Sequence, residues 1–178
     1  LTVGEAVVEQ CLLNLTAGSD IRDFLDLGTG TGRILELFAP HIRRGLGIDL
    51  SAEMLRVARA KLDQPELSHC EFRKGDLYAL NVPAGSYDAT VLHHVLHYLS
   101  DPELAVREAA RTLRPGGQLL VVDFAPHQHE VLRTEQAHRR LGLRDDEVAL
   151  WFERAGLGKL RVEHLTGDNA LDNDRLAV

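Results

Sequence analysis

Apolar positions along the chain follow two alternating spacings. Residues 5–17 (EAVVEQCLLNLTA) repeat them every three to four positions, which predicts an opening helix, and Ile21–Leu27 is a short apolar run that predicts a strand. Arg33–Ala39 reads as a helix stopped by Pro40. Gly45–Asp49 is a second strand, and Ser51 is placed to cap a helix with Leu55, Ala58 and Leu62 on one face. Cys70–Asp76 gives a third strand, and Tyr87–His93 a fourth, entered by a Pro-Ala-Gly-Ser turn at 83–86. Asp101 and Pro102 have the pattern of a cap and first turn for a helix running to Leu113. The segment RPGG (114–117) then turns the chain into QLLVVDF (118–124), apolar almost throughout, as in a strand covered on both faces.

Strand and helix in strict alternation predict a doubly wound, mostly parallel, Rossmann-like α/β sheet with helices on both faces. Right-handed crossovers bring the strand C-terminal ends to one edge, and ligands of such sheets sit there. Beyond Phe124 the pattern predicts two polar helical segments, 128–141 and 145–155, and a strand at Lys159–Leu165; the last residues, GDNALDNDRLAV, have no clear period. The whole, 1–178, reads as a single domain with a core at about 20–125 and a substrate-side segment at about 126–157.

Composition narrows the classes. The 178 residues are 44% hydrophobic and 26% charged, ordinary for a globular chain with a substantial core. A net charge of −7 argues against a nucleic-acid-binding surface, and the apolar runs are too short to span a bilayer. Cys11 and Cys70 form no CxxC pair, which suggests a cytoplasmic chain without disulfides. Leu1 in place of Met suggests a trimmed or partial chain.

The chemistry is concentrated in DFLDLGTGTGR, Asp23–Arg33, where Gly28, Thr29, Gly30 and Gly32 follow the first strand and open a helix. Bare backbone there allows close approach of a ligand. A dinucleotide loop would place its third glycine at position 33, where this chain has Arg33. A pyrophosphate also disfavours neighbouring carboxylates, yet Asp26 precedes the loop, Asp49 ends the second strand and Asp76 ends the third. Three carboxylates at one edge suit a ligand with a cation and sugar hydroxyls. S-adenosylmethionine, with its ammonium, sulfonium and ribose diol, meets that description.

At these residues the chain resembles the class I S-adenosylmethionine-dependent methyltransferases. FLDLGTGTGR is similar to their first motif, GIDLSAEMLRVAR to the second, KGDLYALNVPAGSYDATVLHHVLHYLSD to the third and fourth, and LRPGGQLLVVDF to the fifth. The resemblance implies that Gly28, Thr29, Gly30 and Gly32 line the methionine portion, with Asp26 on its ammonium side. It implies that Asp49 accepts both ribose hydroxyls, Leu50 and Met54 flank the adenine, Asp76 accepts from its amino group and Leu77 covers the ring. His93, at the end of the fourth strand, would border the sulfur.

Methyl transfer is an in-line displacement in which the protein chiefly aligns the reactants and excludes water. A base is needed only when the acceptor must lose a proton. HHVLHYL (93–99) offers His93, His94 and His97, and His94 or His97 is the candidate catalytic base. His127, His129, Glu130 and His138 match no familiar metal-site spacing, so no metal is expected.

More narrowly, DFAPH and QAHRRLGL resemble the methyltransferase domain fused behind a winged-helix regulator of the arsenical-resistance-repressor type. That would place a DNA-binding part before Leu1 and leave this domain without direct nucleic-acid contact. Arsenite-methylating enzymes depend on several clustered thiols, whereas this chain has two distant ones. The expected partner is a small-molecule methyl acceptor, with no membrane and with an oligomer left open. The alternatives are a sensor that binds S-adenosylmethionine or S-adenosylhomocysteine with little turnover, and a nicotinamide-dependent oxidoreductase, which Arg33 and Asp26 disfavour.

Overall fold

The computed structural model describes residues 4–126, 139–140, 142–166 and 175–177. Its elements in order are α1 (Glu5–Thr16), β1 (Asp23–Leu27), α2 (Arg33–Phe38), β2 (Arg44–Asp49), α3 (Ala52–Arg59), β3 (Cys70–Lys74), β4 (Tyr87–His93), α4 (Pro102–Thr112), β5 (Leu113–Phe124), α5 (Asp145–Arg154), β6 (His164–Thr166) and β7 (Arg175–Ala177). The sheet order is β3-β2-β1-β4-β5-β7-β6. The first five strands are parallel, and β7 inserts antiparallel between β5 and β6. Strand order therefore reverses between β1 and β4, and the glycine loop leaves β1 at that switch point.

Local chemistry accounts for the boundaries. Ser51 Oγ accepts from Met54 N (3.3 Å) and Asp101 Oδ1 from Leu104 N (3.0 Å), so both expected caps satisfy first-turn donors. β1 is buried along its whole length. Leu25 and Leu27 pack on one face with Ile48, Leu92, Trp151 and Phe152, and Phe24 on the other with Leu12, Phe38, Leu55 and Phe72. Helices on both sides thus seal the sheet, leaving its two edges as the places where polar groups meet solvent.

Three expectations need correction. RPGG does not separate α4 from the strand, because β5 starts at Leu113 opposite Tyr87 and resumes with Gln118 opposite Ala89. The residues between bulge out through Gly116 at φ 82°, a backbone that glycine adopts without strain. The strand expected at Lys159–Leu165 is confined to His164–Thr166, where β7 supplies a partner. The aperiodic C-terminal segment contributes β7, whose hydrogen bonding needs no apolar period. The helix expected at 128–141 falls almost wholly outside the described residues; α5 occupies most of the second expected helix.

Candidate functional site

The loop after β1 is built on positive-φ backbone, with Gly28 at 71°, Gly30 at 54° and Gly32 at 79°. A Cβ on Gly28 would come within 2.7 Å of Val95 and one on Gly32 within 2.6 Å of Phe72, whereas one on Gly30 would meet nothing within 4 Å. Two glycines therefore serve packing, and Gly30 fronts open space. The loop is tied to β2, since Gly28 N and Thr29 N both donate to Ile48 O, at 2.8 and 3.0 Å. Gly47 on β2 makes room for it, because a Cβ there would lie 2.7 Å from Thr29 Oγ1.

The expected carboxylates gather at this edge. Asp49 accepts from Gly30 N through Oδ2 and from Ser51 N through Oδ1, both at 2.8 Å, and so joins the glycine loop to the start of α3. Gly75 N donates to Asp49 O at 3.0 Å, which brings exposed Asp76 alongside, past the end of β3. Asp76 Oδ1 accepts from Tyr78 N at 2.9 Å, and Leu77 is buried beside it. Leu50 and Met54 are exposed apolar side chains near Asp49, at 66% and 46% exposure.

Asp26 lies beneath the loop, 1% exposed, and accepts from Thr29 Oγ1 at 2.6 Å. Burial pushes its carboxyl up to about 7; the Thr29 hydrogen bond pulls the other way, and the nearby Asp49 charge adds to the rise. An open Gly30, two bare apolar side chains and a set of carboxylate acceptors fit a cationic, ribose-bearing adenosyl ligand. They do not fit a pyrophosphate.

The histidines come together at the ends of β4 and β5. His93 and His94 have ring centroids 4.4 Å apart, and His94 and His97 6.4 Å. Burial, with His94 adding to it, lowers His93 to about 4, and burial also lowers His94 against the opposing charge of Asp123. His97 is 1% exposed, and its Nδ1 lies 2.6 Å from Asp123 Oδ1. Asp123, at the end of β5, also accepts from Phe124 N (2.8 Å), Leu96 N (2.9 Å) and His97 N (3.4 Å).

Sequence reasoning did not single out Asp123, although a lone carboxylate in the apolar run LLVVDF was the available signal. His94, His97 and Asp123 each place one potential ligand atom within 4.8 Å of the others. The carboxylate is already engaged by four N–H groups, which suits a hydrogen-bonded pair better than a metal centre. His127, His129, Glu130 and His138, with most of the helix expected at 128–141, lie outside the described residues. A cavity of about 1120 Å³ opens between β5, α5 and residues 156–162; its lining includes Asp123 and none of the expected cofactor residues.

Comparison with known proteins points the same way. The family described as "Methyltransferase domain" matches residues 25–121. An arsenite methyltransferase of Aquipseudomonas alcaligenes is 37% identical over 167 residues, covering 85% of this chain and 44% of that protein. The ubiquinone/menaquinone biosynthesis C-methyltransferase UbiE of Shewanella oneidensis is 35% identical over 114 residues, 61% of this chain and 45% of the relative. Phosphoethanolamine N-methyltransferase 2 of Haemonchus contortus, solved with S-adenosyl-L-methionine, superposes with a TM-score of 0.80 at 19% identity, over 93% of this chain and 40% of that one. The chain spans less than half the length of the curated relatives it matches.

Proposed function

This chain belongs to the class I S-adenosylmethionine-dependent methyltransferases, and on that footing we propose that it transfers a methyl group to a small-molecule acceptor. The observation that carries the reading is the acidic cradle of Asp26, Asp49 and Asp76 around a glycine loop open at Gly30. S-adenosylmethionine supplies a methyl group on a sulfonium, already activated for displacement.

The protein's part is to bind and orient. Asp49 exchanges its bond from Gly30 N for the ribose diol, Leu50 and Met54 close on the adenine, and Asp76 accepts from its amino group. Leu77 packs at the ring edge, Gly28, Thr29, Gly30 and Gly32 line the methionine portion, and Asp26 carries the charge that answers the ammonium. His93 borders the sulfur, and His94 or His97 serves as base. Of the segment expected on the substrate side, the described residues 142–157 shape the acceptor side, and the chain forms one domain, 1–178. A cytoplasmic setting accords with Cys11 and Cys70 being free thiols.

The same two cysteines bear on the acceptor. Burial raises both thiols to about 11; Cys11 bonds to Glu163 (3.2 Å) and Cys70 begins β3 at the opposite sheet edge. A thiol-held arsenic site is therefore not part of this stretch of chain, despite the arsenite-methylating relative.

A screen of metabolites with methyl-labelled S-adenosylmethionine tests the proposal, with label expected on a small molecule. Tight cofactor binding with no transfer to any acceptor would replace it with the sensor reading.

A further inference from the structure

We infer that His94 is the residue that takes the acceptor's proton, with the buried His97–Asp123 pair behind it as positioning residues. The methyl acceptor is then a group that must lose a proton, a hydroxyl, an amine or a carbon acid, and not a thiolate. This rests on the methyltransferase reading and decides between the two histidines it left open.

Exposure separates them first. His97 is 1% exposed and cannot meet a substrate, while His94 is partly exposed at the same strand ends. His94 also holds a backbone φ of 52°, a conformation that residues with a side chain adopt reluctantly. It is kept there by its N–H on Val122 O at 2.7 Å, which swings the imidazole against His93 and Phe124. Nδ1 of that ring is fully buried and makes no hydrogen bond among the described residues. Strain and a buried nitrogen without a partner among the described residues coincide in this one residue, the pattern of a group kept for chemistry.

The second half of the device lies deeper. Asp123 receives Nδ1–H of His97 and the backbone N–H of Leu96, His97 and Phe124, so one carboxylate fixes the imidazole and the turn that carries it. Charged and titratable groups facing His94 are Asp123 on β5, His97 on the turn, His93 on β4 and Glu5 on α1. Burial keeps His94 neutral near pH 7, and Asp123 is the largest influence that opposes it. In the reaction, the acceptor's proton passes to Nε2 of His94, because Nδ1 is buried, while a lone pair on the acceptor's oxygen or nitrogen, or the pair left on a carbon acid, forms the bond to the methyl carbon. The C–S pair departs onto sulfur, and the Asp123 carboxylate balances the imidazolium. A thiolate has no proton to give and would leave the arrangement without use.

Histidine ¹⁵N NMR of the ligand-free protein tests the pair without any turnover. The expected spectrum has His97 protonated on Nδ1 and His94 titrating below about 6.5, and Asp123→Asn lowers the His94 midpoint by about half a unit or more. A proton on Nε2 of His97 in the wild type, which needs no variant to fold, overturns the pairing; an unmoved His94 midpoint overturns the coupling. With labelled S-adenosylmethionine and a panel of phenol, amine and thiol acceptors, His94→Asn, which tolerates the same backbone, lowers transfer to phenols or amines by about 10²–10⁴-fold. It leaves transfer to thiols within about tenfold; equal losses on all acceptors, or none, overturn the assignment. Calorimetry with S-adenosylhomocysteine reports separately on the methyltransferase reading, which fails if that ligand does not bind to the wild type.

Discussion

Strand β1 carries two aspartates three residues apart, each 1% exposed, and the two edges of the sheet treat them oppositely. At the entry edge Asp23 is met by Arg43 and Arg44 at 3.1 Å and by Arg114 at 2.9 Å. Arg114 reaches it from the bulge in β5 and holds Asp88 at 2.8 Å as well. At the exit edge Asp26 has a threonine hydroxyl and no cation among the described residues, with a second carboxylate, Asp49, close enough to raise its pKa further. The same strand thus neutralises one buried acid for stability and leaves the other short of positive charge. A buried carboxylate with no counter-ion among the described residues suits a cationic ligand, the role proposed for Asp26.

The sharpest way to break this contrast is to neutralise each acid in turn. Because the folded-state pKa of Asp26 is raised, folding favours its protonated form, and its unfavourable contribution grows as pH rises from about 4 to about 7. Asp26→Asn is therefore expected to stabilise the ligand-free protein at pH 8 by on the order of 1–4 kcal/mol while weakening cofactor binding. Denaturant melts at pH 5 and pH 8 check it, with most of the gain at the higher pH. In the wild type, S-adenosylmethionine binding should tighten as pH rises through about 7, because its cation draws the proton off Asp26.

Asp49→Ala should cost about 2–3 kcal/mol of cofactor affinity, roughly a 30- to 150-fold loss by calorimetry, since two charge-assisted acceptors go together. Asp49→Asn keeps one acceptor and should lose less. Asp23→Asn should do the reverse of Asp26→Asn, lowering stability by about 1–3 kcal/mol with cofactor affinity unchanged. The figure is held down because its arginines are exposed enough to rehydrate. Asp76→Asn, at an exposed position, should show the smallest effect, about 0.5–1.5 kcal/mol of affinity and no change in the melt.

The exit edge was far more legible in the sequence than the entry edge. Glycines on positive φ and carboxylates at strand ends are local requirements, so Gly28, Gly30, Gly32, Asp26, Asp49 and Asp76 could be read from spacing alone. The three arginines around Asp23 come from β2, its approach and the β5 bulge, a non-local set that no motif announces. RPGG misled because Pro-Gly-Gly has the chemistry of a turn, while pairing with β4 on both sides of it makes it a bulge. Asp123 was hidden inside an apolar strand, where its partners are backbone groups that sequence does not distinguish.

The central claim, that the exit edge is an acidic cradle for a cationic adenosyl ligand, is met most directly by calorimetry of the wild-type protein with S-adenosylmethionine, S-adenosylhomocysteine and NAD. Binding of the two adenosyl ligands and none of NAD is the predicted result. NAD binding with no heat from S-adenosylmethionine would contradict it.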